Sequence, residues 1–143
     1  MRDMTREEII SFIKKWTWGT LIGVESAVPY AVEVSYGTDG EYIYCGTRPG
    51  GRMSRCIREN QNVVFKICDS DRSCSRWYAV IVEGIAERMT GEEDVLYSVR
   101  RIAAGMGLRE NAFDAMAKEV AKNGDSNSLR IPLTRISGKT IGH

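Results

Sequence analysis

The chain has 143 residues, 43% of them hydrophobic and 27% charged, with 20 basic residues against 19 acidic ones and a formal net charge of +1. That length suits one domain, residues 1–143, around one core. The balanced charge excludes a global pull toward nucleic acid or an anionic membrane. No segment approaches the roughly 20 consecutive apolar residues of a membrane-crossing helix. The charged start, Met1 to Glu8, does not read as a signal peptide, so a cytoplasmic location is expected.

Thr5-Arg6-Glu7-Glu8 has the pattern of a capping box, followed by Ile9, Phe12, Ile13 and Trp16 at helical spacing. A helix is predicted over 5–15, ended by Gly19. Strands are predicted over 20–25 and 29–36. Asp39-Gly40 then turns the chain into the apolar run Tyr42-Ile43-Tyr44-Cys45. Next comes Gly46-Thr47-Arg48-Pro49-Gly50-Gly51-Arg52, opening a short helix over 51–60.

This junction is the most chemically suggestive stretch of the chain. A helix N-terminus presents unpaired N–H groups and partial positive charge. Thr47 adds a neutral donor, and Arg48 and Arg52 add forked guanidiniums suited to phosphate oxygens. No Lys-Ser or Lys-Thr follows the glycines, so the loop is not of the Walker type. A surface turn with solvated arginines would show the same residues. Arg48, Arg52, Arg55 and Arg58 face only Glu59 locally, which favours a local anion site over a broad nucleic-acid face.

Further along, strands are predicted over 63–68 and 77–89, with Gly84 marking a bulge or a close backbone approach such as a barrel corner. Thr90-Gly91-Glu92-Glu93 reads as a second capping box, before a helical stripe from Val95 to Met106. Another helix is predicted over 111–122, a loop over 124–128, and a last strand over 129–136. Hairpins come first, and strands and helices do not alternate. The fold class is therefore α+β and barrel-like.

The four cysteines, Cys45, Cys56, Cys68 and Cys74, show no CxxC spacing, and His143 is the one histidine. No metal site is expected. Inert, reduced thiols are preferred over redox roles, although Arg48 and Arg76 lie near Cys45 and Cys74 in sequence.

The strand Pro29 to Tyr36, the Asp-Gly turn, Ile43-Tyr44-Cys45-Gly46-Thr47, Gly51-Arg52 opening a helix that closes at Ile57-Arg58-Glu59-Asn60, and Val63-Val64-Phe65 together resemble the pyridoxamine 5'-phosphate oxidase-like FMN-binding split barrels. Within them the chain is most similar to the branch of the 5-nitroimidazole-resistance proteins, with a comparable strand Tyr78 to Gly84 and a terminal strand near Gly138-Lys139. The resemblance spans about residues 5 to 139. It implies a six-stranded antiparallel split β-barrel with flanking helices. It also implies a homodimer with FMN in clefts between the subunits.

The resemblance assigns the phosphate to Thr47 and to Arg52, with Gly51 and Arg48 beside them. It lays the isoalloxazine along Ala31, Val32, Glu33, Val34, Ser35 and Tyr36. Met53 stands where many members carry a second basic residue, for which Arg48 or Arg55 would compensate. Glu33 stands where the nitroimidazole branch often has proline. The histidine that some of that branch carries beside the flavin is missing, as is the C-terminal Arg-x-His segment of the true oxidases. The implied function is a flavoprotein passing electrons to a small organic acceptor. The alternative is a flavin, deazaflavin or haem carrier or sensor without turnover, haem being disfavoured by the missing axial histidine. No catalytic residue is evident. Tyr36 and Tyr78 are the proton donors to test, and Trp77 is a candidate for stacking on the flavin across a dimer.

Overall fold

The computed structural model describes residues 1–122 and 127–143. The predicted loop over 124–128 falls partly outside the described residues. In chain order the elements are β1 (Arg2–Asp3), α1 (Arg6–Lys15), β2 (Trp18–Glu25), β3 (Val28–Thr38), β4 (Tyr42–Gly46), α2 (Arg52–Glu59) and β5 (Asn62–Ser70). These are followed by β6 (Trp77–Ile85), β7 (Glu87–Arg88), α3 (Glu92–Gly105), α4 (Asp114–Lys122), β8 (Ser128–Pro132) and β9 (Arg135–Ile141).

Among the described residues nine strands join in the order β1-β9-β6-β5-β2-β3-β4-β8-β7, every neighbouring pair antiparallel. The sheet curls into a split barrel. The barrel-like α+β reading holds, but two predicted strands are each divided. The run 77–89 pairs with β5 and β9 as far as Ile85, passes through buried Ala86, and then pairs with β8 as β7. One continuous segment thus serves both ends of the strand order. Gly84 sits at this corner, where a Cβ would stand 3.3 Å from Ile131 Cγ2 of β8, and a larger side chain would hold the strands apart. The run 129–136 likewise breaks at Leu133-Thr134 into β8 and β9.

The capping box of α1 forms as predicted, with Thr5 Oγ1 accepting from Glu8 N and a Glu8 carboxylate oxygen accepting from Thr5 N. Ile9, Phe12 and Ile13 pack inward from it against Leu21, Phe65 and Val80 of the barrel. Trp16 lies beyond the last turn, and Gly19 does not end the helix. Gly19 lies inside β2, where a Cβ would fall 2.4 Å from the Phe65 ring, so the glycine makes room for that ring. The second capping box does not form. Gly91 is the N-cap of α3 and makes no side-chain cap bond. The last helix begins at Asp114 rather than 111.

A second, smaller core of Tyr44, Met89, Val95, Val99 and Ala117 seats α3 and α4 on the β4 side of the barrel. α3 lies directly on β3: a Cβ on Gly37 would stand 2.3 Å from the Arg101 backbone. None of the helices is long and apolar enough to cross a membrane among the described residues.

Candidate functional site

β4 delivers the chain to the rim of a cavity of about 740 Å³. Its lining has three sources: β3 with Trp18 of β2, the segment from Gly46 to Met53, and apolar side chains of α3, α4 and the turn before α4. Asn127 and Ser128 complete it.

The segment after β4 is built as an anion cradle. Gly50 has φ +69°, a left-handed conformation that glycine adopts without strain. Gly51 N donates to Arg48 O at 3.0 Å, closing the turn. The first helical bond of α2 runs from Arg55 N to Gly51 O, and Gly51 provides no side-chain cap. The N–H groups of Arg52, Met53 and Ser54 therefore precede the helical ladder. Thr47 and Arg52 line the same cavity, and the Arg52 guanidinium lies 4.4 Å from the centre of the Tyr30 ring. Neither Arg48 nor Arg52 has a carboxylate partner among the described residues.

Asn127 ties this cradle together. Its carbonyl accepts from Thr47 N at 3.1 Å, and its Oδ1 accepts from Ser54 Oγ at 2.8 Å and from an Arg88 guanidinium nitrogen at 3.1 Å. The end of β4, the first turn of α2 and β7 are thereby fixed to one buried amide. Sequence reasoning missed Asn127 and Ser54, because these contacts link residues far apart in the chain.

The residues singled out in β3 divide. Val32, Glu33, Val34 and Ser35 line the cavity together with Thr47, Arg48, Gly51 and Arg52. Ala31 and Tyr36 do not. Tyr36 is fully buried, its hydroxyl donates to Ile13 O at 2.6 Å, and its ring meets Phe65 edge-on. Burial pushes this phenol well above its ordinary pKa, so it is corrected from proton donor to core residue. Tyr78 also lies outside the cavity, between Phe12 and the stacked ring of His143. Trp77 does not line it either.

Arg55 does not compensate for Met53, since it is paired with Glu25 at 3.0 Å. Met53 itself is a buried core residue with its Sδ against Gly23. Cys45 lines the cavity, but burial pushes its thiol up to about 12, which leaves it protonated and unreactive at neutral pH. Cys74 is exposed in the turn between β5 and β6, away from the cavity.

The apolar part of the lining was not anticipated. Val99, Ile102 and Met106 come from α3 and its C-cap, and Phe113, Met116 and Val120 from α4 and the turn before it. In the sequence their spacing shows only helical periodicity. Met106 is 42% and Met116 56% exposed, so this wall leaves apolar surface open.

The profile of the family described as Pyridoxamine 5'-phosphate oxidase matches residues 5–140, and the chain belongs to that family.

Solved structures agree on the fold. A candidate 5-nitroimidazole antibiotic resistance protein from Bacteroides thetaiotaomicron superposes with a TM-score of 0.78 at 16% identity, covering 97% of this chain and 86% of that one. The FAD-binding protein of Mycobacterium smegmatis gives a TM-score of 0.68 at 16% identity, over 99% of this chain and 98% of that one. The FAD and heme binding protein of the same organism gives 0.76 at 17% identity, over 100% and 75%. No curated protein sequence matched the chain.

Proposed function

We propose that the protein is a flavoprotein that binds FMN in this cavity and passes electrons to a small organic acceptor. The observation that carries this reading is the convergence, in one cavity, of the Thr47–Arg52 cradle with the backbone of β3 and the apolar side chains of α3 and α4. The donor set fits the cofactor. Thr47, Arg48, Arg52 and the first N–H groups of α2 hold a phosphate dianion, and the α3–α4 side chains cover a planar ring. A bound flavin would supply reversible uptake of electrons, while the protein positions it and tunes its potential.

The family membership and the FAD-binding proteins among the structural relatives support a flavin. A haem reading lacks its ligand, because His143 stacks on Tyr78 outside the cavity. With Tyr36 and Tyr78 outside the site, protons reach it from solvent. Pairing of two copies through the outer face of the sheet, where Ile22, Val64, Ile81 and Ile85 lie on neighbouring strands, would place the cavity at a subunit interface. A homodimer in the cytoplasm is the assembly this reading expects.

The test is reconstitution of the purified apoprotein with FMN, FAD and riboflavin, followed by calorimetry and light scattering. Binding of FMN at one per protomer in a dimer, tighter than riboflavin, is the expected result. No flavin binding at all overturns the reading, and FAD binding more tightly than FMN replaces the cofactor. Glu33→Gln is expected to raise the potential of the bound flavin, because a nearby carboxylate opposes added electrons. An unchanged potential removes Glu33 from the flavin's surroundings.

A further inference from the structure

A phosphate cradle and an apolar wall have no need of a carboxylate, yet Glu33 lines the cavity. The antiparallel register places Thr20 of β2 opposite Glu33 and Trp18 opposite Ser35, so Trp18, Thr20 and Glu33 share one face of the sheet. Thr20 Oγ1 donates to Glu33 Oε1 at 2.6 Å, which fixes the carboxylate and leaves Oε2 without a partner among the described residues. Trp18 also lines the cavity and is 56% exposed in the single protomer, which places its indole at the rim.

The cations of the cradle do not neutralise this group. Arg52 sits over Tyr30, three residues back along β3 and on the opposite face, about 10 Å away along the strand. Lys66 faces Thr20 from β5, two strand spacings from Glu33, and forms no ion pair with it. An oriented carboxylate beside an open aromatic face binds an organic cation through charge and through the ring quadrupole. The same carboxylate repels an anion, which supplies discrimination as well as affinity.

We propose that Glu33 and Trp18, with Thr20 as a positioning residue, form a substrate subsite at the cavity rim for the cationic group of a small alkylammonium or protonated heterocyclic compound, and that carboxylate-bearing compounds are excluded from it. As a statement about substrates this rests on the flavin reading of the cavity. As a statement about binding it does not.

The probes are benzyltrimethylammonium and benzoate, titrated calorimetrically at low ionic strength into flavin-loaded and flavin-free protein. Wild type is expected to bind the cation at least tenfold more tightly than the anion. Glu33→Gln is expected to bring that ratio close to one, with Glu33→Asp recovering part of it. Thr20→Val is expected to lower the ratio severalfold, a readout that a merely structural threonine would not move. Trp18→Leu is expected to weaken cation binding severalfold without strengthening benzoate. Equal binding of the two probes by wild type, or an unchanged ratio in Glu33→Gln, overturns the subsite. Failure of wild type to take up flavin, with the cation preference intact in the flavin-free protein, overturns the flavin reading and leaves the subsite standing.

Discussion

The two chemical halves of the cavity are built in opposite ways. The candidate anion cradle is a contiguous stretch, residues 46–53, held to buried Asn127 at two points, through Thr47 N and through the adjoining Ser54 Oγ. The apolar wall is assembled from side chains spread between Val99 and Val120. Its anchoring is uneven as well. α3 lies tightly on β3 through Gly37, whereas α4 buries only Ala117 and is tied to α3 by the Arg100–Asp114 ion pair, 2.9 Å and partly exposed. An exposed pair of this kind is a weak tether. On the flavin reading proposed above, the phosphate would meet the fixed end and the ring the less firmly anchored one. This division suits a ligand whose phosphate sets the register while its apolar part settles against the exposed methionines Met106 and Met116.

The strongest way to break this comparison is at the cradle. Arg52→Ala is expected to weaken FMN binding by about 1.5–3 kcal/mol, the scale of a charge-assisted hydrogen bond. Riboflavin, which lacks the phosphate, should bind equally well to both proteins. The apoprotein should melt at nearly the wild-type temperature, because Arg52 is exposed and its visible contact is the Tyr30 ring. Equal loss for FMN and riboflavin in paired titrations would show that Arg52 supports the ring site and not the phosphate.

The wall gives the complementary experiment. Met116→Ala removes a side chain that is 56% exposed in the protein alone, so apoprotein stability should change little. If a ligand covers it, affinity should fall by about 1 kcal/mol, and by the same amount for FMN and riboflavin. A loss confined to FMN would erase the distinction between the two halves.

The same contrast explains what could be read from the sequence. The capping box at Thr5, the Asp39-Gly40 turn and the Thr47–Arg52 cradle are local devices. Asp39 Oδ1 does accept from Glu41 N and Tyr42 N, and Gly40 does take φ +87°. Each requires only residues a few positions apart. The division of 77–89 at Ala86 was hidden, since an apolar β-branched run looks the same whether it stays in one pairing or changes partners. Gly19 was misread for a related reason: its role depends on Phe65, which only pairing with β5 brings near. Tyr36 is the clearest case. The resemblance lays the flavin along Ala31 to Tyr36, but only packing of α1 over the strand shows that the Tyr36 hydroxyl is committed to Ile13. The residues of 47–52 are close enough in sequence to be read as one candidate anion site, whereas the helical wall, Trp18 and Asn127 come together only in three dimensions.

The smallest expected effect probes how well the helical layer is packed. Ser98 of α3 is fully buried beside the cavity residue Val99, and its Oγ has no hydrogen-bond partner among the described residues. A buried unsatisfied hydroxyl is costly, and alanine is the better helix former. Removing one oxygen leaves a void too small to offset both gains. Ser98→Ala is therefore expected to stabilise the apoprotein by about 0.5–1 kcal/mol, raising Tm by roughly 2–4 °C. The cradle contains no comparable orphan among the described side chains, since Ser54 is bonded to Asn127. Ser54→Ala should accordingly act in the opposite direction, leaving Asn127 Oδ1 with one donor fewer and lowering Tm. Thermal melts of the two variants side by side decide the matter. If both substitutions destabilise, Ser98 finds a partner in solution and the helical layer is as well satisfied as the cradle.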